Sequence, residues 1–153
     1  MSILGVLLLL VILATFSIIL LANQIENYLS SYISKQAKTS DLLLKIQEFL
    51  LFLQIEIVKK NMAYMALLFA VWNFFGPNFG SIYGGLPLIG ALIPATILFL
   101  DALILYPQLL DLIPFASFNE KLTPILEKIT PIAGWLTLLT TFLHAILYRF
   151  PFF

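Results

Sequence analysis

Long runs of apolar residues dominate the chain and are separated by shorter stretches that hold nearly all of its charges. The first run, residues 3–22, has no charged side chain and is long enough to cross about 30 Å of hydrocarbon as a helix rising about 1.5 Å per residue. Three more runs lie at about 57–76, 86–106 and 131–149, and Pro94 predicts a kink in the third span. The pattern predicts an all-α integral membrane protein with four transmembrane helices.

The link between the first two spans has an apolar pattern of its own. Apolar residues continue at helical spacing through residues 23–37, so we expect the first helix to extend beyond the membrane. Thr39 and Ser40 supply capping hydroxyls for a second helix over 41–57, which Asp41 opens. A narrow polar stripe leaves most of that helix apolar, so water cannot cover it.

Two arrangements would bury this second helix. It either lies in the headgroup layer as an in-plane amphipathic helix or forms a hairpin with the extended first helix and docks on another polypeptide. The residues expected to make the docking contact are Leu42, Phe49, Phe52 and Leu53. Residues 118–130 form a third amphipathic segment, in which Glu120 and Lys121 recur seven residues later as Glu127 and Lys128.

Composition supports the membrane assignment, because 61% hydrophobic and 10% charged residues with a mean hydropathy of +1.04 lie outside the ranges of soluble domains. The 153 residues leave room for one membrane domain, 1–153. Eight basic and eight acidic side chains give zero net charge, so no bulk field would attract nucleic acid. Seven of the eight basic residues flank one side of the predicted bundle, which makes loops 23–60 and 107–130 cytoplasmic and places both termini outside.

The residues for most enzyme chemistry are missing from the sequence. It has no cysteine, a single histidine, no paired intramembrane carboxylates and no nucleotide-binding or nucleophile-elbow motif. We therefore predict neither a catalytic site nor a metal site, and no cofactor is supported. His144 is expected to be a hydrogen-bonded residue near the membrane interface. It is also the one candidate ligand for a chlorin, or for a metal shared with a neighbouring chain.

Polar groups inside the predicted spans are few, and Asp101, His144 and Asn73 stand out beside several threonines. A charge at bilayer depth costs at least about 2.5 to 3.5 kcal/mol, so Asp101 should avoid lipid. It is either a relay for protons or cations or a neutral acid that joins helices by hydrogen bonds, and the lack of a matched basic residue favours the second interpretation. With these span boundaries we expect about 13 Å of depth between Asp101 and His144, which disfavours direct pairing. A third span over 93–113 would make this gap smaller.

Small residues mark the start of the third span. This helix-packing set comprises Gly84, Gly85, Gly90, Ala91 and Ala95, and such residues allow helix backbones to approach closely.

These observations favour a non-catalytic membrane subunit or adaptor of a larger membrane complex. The alternative is a small oligomeric transporter or channel with Asp101 lining the pathway, and a further alternative is a holder of a pigment or redox cofactor through His144. The expected partners are the lipid bilayer and either other membrane subunits or further copies of this chain.

Overall fold

The computed structural model describes residues 3–35, 40–75, 92–112 and 116–148, and every regular element within these ranges is helical. Six α-helices and two short 3₁₀ helices follow one another along the chain. The α-helices are α1 (Ile3–Ile33), α2 (Asp41–Leu53), α3 (Glu56–Phe75), α4 (Leu92–Leu105), α5 (Ala116–Ile129) and α6 (Ala133–Leu147); the 3₁₀ helices are Pro107–Leu112 and Thr130–Ile132.

Prolines explain where several helices end. Pro107 follows the end of α4 and begins a 3₁₀ helix, since the residue before a proline is disfavoured in the α conformation. Pro131 lies in the 3₁₀ turn between α5 and α6. Pro94 lies in the first turn of α4 as described, where its missing N–H removes no intrahelical bond. The kink predicted there involves residues 86–91, which lie outside the described residues.

The start of α2 agrees with the sequence in position but not in mechanism. The helix begins at Asp41 with Ser40 as its N-cap residue, as predicted. The Ser40 hydroxyl, however, makes no capping hydrogen bond, and the backbone N–H groups of Leu43 and Leu44 donate to the Ser40 carbonyl instead. The prediction of a side-chain cap by Ser40 is therefore wrong, because the backbone alone closes the first turn. Thr39 lies outside the described residues.

Helices α3 and α4 form an antiparallel pair. Near the start of α3, the Lys60 ammonium lies 5.4 Å from the centre of the Tyr106 ring, and the Tyr64 ring centroid lies 6.1 Å from that of Tyr106. Further along α3, Ala70 lines a groove together with Ala95 near the start of α4. Contacts therefore move backwards along α4 as they move forwards along α3.

Helices α1 and α6 form a second antiparallel pair. The Gln24 amide donates to the Pro131 carbonyl at 2.9 Å, whereas Leu21 lies against Gly134. Residues later in α1 therefore contact residues earlier in α6, so the two helices run antiparallel. Helix α4 packs against α6 and also contacts α1, which joins the two pairs into one bundle.

Helix α2 packs along the C-terminal part of α1. The Gln47 amide donates to the Ser30 hydroxyl at 2.8 Å and to the Glu26 carboxylate at 3.2 Å. Leu50 and Leu53 point into the common core of the bundle. We call residues 23–33 of α1 together with α2 the α1–α2 hairpin.

One end of the bundle carries most of the charge. The C-terminal half of α1, helix α2, the start of α3, the end of α4 and helix α5 all lie there, and we call it the lysine-bearing end. The described lysines in these segments are Lys35, Lys45, Lys59, Lys60, Lys121 and Lys128. Helix α5 is amphipathic, with Leu126 buried in the core and its charged residues exposed.

Two helical stretches are long and apolar enough to cross a membrane, judged by length and composition. Among the described residues they are Gly5–Ile33, in which an 18-residue window has a mean hydropathy of 2.9, and Asn119–Leu147, in which such a window has a mean hydropathy of 1.5. The second stretch runs from α5 through the 3₁₀ turn into α6. Helix α4 is apolar but shorter. Helix α3 is long enough to cross a membrane, but its first two turns contain three charged residues, Glu56, Lys59 and Lys60.

Candidate functional site

Buried polar side chains of α4 and α6 lie in one region of the bundle. Among the described residues, the buried polar or charged side chains are Ser17, Asp101, Thr137, Thr140 and His144. The three on α6 follow helical spacings of three and four, so they share one face of that helix. We call Asp101, Thr137, Thr140 and His144 the buried polar column.

Asp101 does not face lipid, since only 2% of the residue is exposed. The Thr137 hydroxyl lies 2.9 Å from each of the two carboxyl oxygens, within hydrogen-bonding distance of both. The same hydroxyl lies 3.1 Å from the Ala133 carbonyl, one turn earlier in α6. Asp101 therefore joins α4 to α6 through a single threonine.

The hydrogen bonds at this contact are more complete when Asp101 is protonated than when it is ionised. The Thr137 hydroxyl has one proton but three acceptors within 3.1 Å, so an ionised Asp101 receives at most one full hydrogen bond from it. A protonated Asp101 donates to Thr137, and Thr137 is then free to donate to the Ala133 carbonyl. In the neutral form, the Asp101 carboxyl and the Thr137 hydroxyl both have hydrogen-bond partners and no counter-ion is needed. In the ionised form, the two side chains can still share the single Thr137 proton.

His144 differs from the expectation of a hydrogen-bonded residue near the interface. It is completely buried, and neither ring nitrogen has a hydrogen-bond partner. The expected hydrogen bond is absent because α6 turns His144 to the same face as Thr137 and Thr140, which points into the bundle. A neutral imidazole has one donor and one acceptor, and leaving such groups unpaired in a buried site costs about 1 to 3 kcal/mol each.

Asp101 and His144 share the column without direct contact. Thr137, the partner of Asp101, precedes His144 by seven residues, which is about 10 Å along α6. The two titratable groups thus lie at different depths, as the sequence predicts. Asn73, the third polar residue that the sequence places inside a span, is half-buried on α3, and its amide donates to the Phe69 carbonyl of its own helix.

A metal or cofactor finds little support in this arrangement. The described residues contain no group of three or more His, Asp or Glu side chains that could hold a metal ion. The His144 ring is enclosed by its own chain, so it presents no open face to a flat cofactor. The groove between α3 and α4, of ≈ 240 Å³, is lined by apolar residues and Thr96, whose hydroxyl donates to the Leu92 carbonyl, and His144 is not part of its lining.

The predicted helix-packing set is only partly covered by the structure. Gly84, Gly85, Gly90 and Ala91 lie outside the described residues, while Ala95 is buried and lines the groove against α3. Sequence reasoning missed the complementary small residues of α3, where Ala63, Ala66 and Ala70 are all buried. Their spacing of three and four was the available signal.

The α1–α6 contact was also missed. An added Cβ at Gly134 would lie 2.5 Å from Cγ of Leu21, so the two helices meet closely at this glycine. The Trp135 indole N–H donates to the Gln24 side-chain oxygen at 3.1 Å beside it. A lone glycine in an apolar run gives no sequence signal of which helix it contacts.

The residues predicted for docking do not all remain available. Leu42, Phe49 and Phe52 are 65%, 54% and 52% exposed, whereas Leu53 is only 7% exposed and packs into the chain's own core. Leu53 is therefore not available for docking, because the C-terminal end of α2 packs against the bundle. Leu44, Ile46, Leu51 and Ile55 are exposed as well.

No family model matches the chain, and no curated protein or solved structure matches it either.

Proposed function

We propose that this chain is a non-catalytic integral membrane subunit that binds a partner membrane protein through its α1–α2 hairpin. The observation that carries the proposal is the exposed apolar surface of a hairpin that extends past the end of the first span. What can cover this surface depends on where the bilayer lies and on how far the hairpin projects from it.

The packing supports four membrane-crossing helices. Helices α1, α3, α4 and α6 pack as two antiparallel pairs, with the described lysines at one end. Their outward surfaces are apolar and include, among others, Leu8, Val11, Leu68, Trp72, Phe142 and Ile146. Lipid covers such a surface, and an excess of lysine marks the cytoplasmic side. In this arrangement the lysine-bearing end is cytoplasmic.

The contacts of α2 favour a hairpin over an in-plane helix. Helix α2 lies along the extension of α1, held by Gln47 to Glu26 and Ser30. A helix packed along a membrane-crossing helix cannot also lie flat in the headgroup layer over its whole length. Of the two arrangements that the sequence leaves open, docking of a hairpin is therefore the one we retain.

The hairpin is too long for lipid to cover. The predicted first span ends at Ala22, and Tyr32 follows ten residues later, about 15 Å further along α1. Leu42 lies near the start of α2, before Gln47, which contacts Glu26 and Ser30 of α1. It is therefore farther from the first span than Gln47, at a distance similar to that of Tyr32. The headgroup layer adds only about 5 to 8 Å on each side of the hydrocarbon. Tyr32 and Leu42 are 55% and 65% exposed, and at this height only protein can bury them.

The surface of α2 indicates how a partner would bind it. Asp41 and Lys45 form an ion pair at 2.9 Å, and with exposed Glu48 they make a narrow charged stripe. Exposed apolar residues flank the stripe on both sides. Burying a large apolar side chain contributes about 1.5 to 3 kcal/mol, so a few such contacts would support a stable complex while the stripe remains in water.

Two double variants test the proposal. Tyr32→Glu with Leu42→Glu alters the distal part of the hairpin, and Phe49→Glu with Phe52→Glu alters the part near the membrane. We expect both variants to lose the stoichiometric partner that co-purifies in mild detergent, as measured by native mass spectrometry. Glu48→Lys is the matched control, since it reverses a charge on the exposed stripe without removing apolar surface, and it should retain the partner.

The distal variant separates docking from lipid contact. If lipid covers the hairpin, a change about 15 Å beyond the hydrocarbon has no effect on complexes or on membrane association, whereas the variant near the membrane weakens insertion. An unchanged co-purifying partner in the distal variant would overturn the docking proposal.

A further inference from the structure

The buried polar column has features that a purely structural role does not explain. Asp101 has a partner in Thr137, and that contact is sufficient to join α4 to α6. His144 has no protein partner for either nitrogen, although it is completely buried. A phenyl ring would fill similar space without leaving polar atoms unpaired, so packing gives no reason for an imidazole at this position.

The positions of the two titratable groups form a pattern along the bundle. Asp101 lies four residues before the end of α4, about 6 Å from the lysine-bearing end of that helix. His144 lies three residues before the end of α6, about 4.5 Å from the opposite end. Among the described residues they are the only buried titratable groups. Asp101 therefore lies about one turn inside the end of α4, and His144 lies about one turn inside the end of α6.

Two buried threonines of α6 lie between these groups along the helix. The Thr137 hydroxyl contacts Asp101 directly, and Thr140 follows one turn later on the same face. Thr140 in turn precedes His144 by four residues, a spacing that brings Cβ atoms to about 5 to 6 Å on a helix. The Thr140 hydroxyl donates to the Leu136 carbonyl, which leaves its oxygen able to accept another hydrogen bond. Ser17 of α1 is buried as well.

We propose that the buried polar column is a proton-transfer path between the two ends of the bundle, with His144 and Asp101 as its proton-carrying groups. An imidazole and a carboxylic acid each exist in a form with one proton more and a form with one proton fewer, so both side chains can carry a proton. Threonine hydroxyls pass a proton on by accepting one hydrogen bond while donating another. The inference shares with the docking proposal only the placement in a membrane.

Proton transfer along the column proceeds in three balanced steps. The neutral Asp101 acid releases its proton toward the lysine-bearing end and becomes a carboxylate. The neutral His144 imidazole accepts a proton from the opposite end and becomes an imidazolium. The imidazolium N–H proton then moves through the hydroxyls of Thr140 and Thr137, with water bridging the gaps, to the carboxylate. Both groups return to their neutral forms, and one proton has crossed without a change of redox state.

Purified full-length protein in vesicles that enclose a pH-sensitive dye provides the test. A potassium gradient with valinomycin drives proton movement, and the rate of dye response measures flux. We expect wild-type vesicles to conduct faster than protein-free vesicles, and Asp101→Asn and His144→Phe each to reduce flux to the protein-free rate. Thr96→Val is the matched control, because Thr96 is an exposed threonine of α4 outside the column, and it should conduct like the wild type.

Folding and docking are controlled in the same experiment. Asn is nearly isosteric with the neutral acid and Phe fills the space of the imidazole, so circular dichroism should show unchanged helix content in both. The Phe49→Glu, Phe52→Glu variant should keep its flux, which separates this inference from the docking proposal. Wild-type flux equal to that of protein-free vesicles would overturn the inference, as would full flux in folded Asp101→Asn and His144→Phe.

Discussion

The close contact between α1 and α6 allows a quantitative test of the packing. In Gly134→Ala the new Cβ would lie 2.5 Å from Cγ and 2.9 Å from Cδ2 of Leu21, and 3.1 Å from the backbone nitrogen of the same residue. Favourable carbon contacts lie at about 3.5 to 4.0 Å, so the helices must separate by about 1 Å. Rotation of the Leu21 side chain relieves the contact with Cδ2 but not that with the backbone.

The expected loss of stability combines two opposing effects. Overpacking of a well-packed site costs about 1 to 3 kcal/mol. Replacing a helical glycine by alanine returns about 0.8 to 1.0 kcal/mol through helix propensity. Because the clash involves Cγ and the main chain, we place the overpacking in the upper half of its range. Gly134→Ala should therefore destabilise the protein by about 1 to 2 kcal/mol.

A double-mutant cycle isolates the contact from the propensity effect. Leu21→Ala removes Cγ and Cδ2, the two nearest atoms, so the second alanine should be tolerated at Gly134 in that background. The coupling free energy between the positions should be at least about 1 kcal/mol. Reversible unfolding in mixed micelles, followed by circular dichroism, measures all four variants. Equal stability of Gly134→Ala and wild type, or zero coupling, would refute the close approach of the helices.

Three further predictions address topology and the buried polar residues. Cysteines introduced singly at Ser34 and Ser81 should differ toward an impermeant thiol reagent on intact cells, with labelling at Ser81 only; the reverse pattern would invert the bundle. Asp101→Asn should leave unfolding stability unchanged, whereas Asp101→Leu leaves Thr137 without its partner and should lose roughly 1 kcal/mol in the same micelle assay. His144→Phe should raise stability, since it removes two buried nitrogens whose lack of hydrogen bonds costs about 1 to 3 kcal/mol each, and a less stable variant would show that the imidazole has a partner.

Local features of the chain could be predicted because they depend on neighbouring residues. The helical extension of the first span past Ala22, the start of α2 at Asp41 and the amphipathic α5 all follow from apolar spacing within one segment. The end of α4 before Pro107 follows from the geometry of proline. Each of these can be read from a window of a few residues.

The surroundings of the polar side chains could not be predicted in the same way. Helix α4 is apolar except at Thr96 and Asp101, so its sequence does not fix which side meets another helix. Thr137 is one of several threonines of α6 that could have met the acid. The wrong expectation for His144 has the same origin, since its burial depends on the rotation of α6 within the bundle.

The sequence by itself determined that the chain is helical, where its helices lie and which end carries the lysines, because apolar periodicity, prolines and charge positions act along the chain. The tertiary structure alone decided that Gly134 meets Leu21, that Asp101 meets Thr137, that Leu53 is buried while Phe49 is exposed, and that His144 is enclosed without a partner. These outcomes depend on the rotation and separation of helices, which close packing sets between segments far apart in the chain.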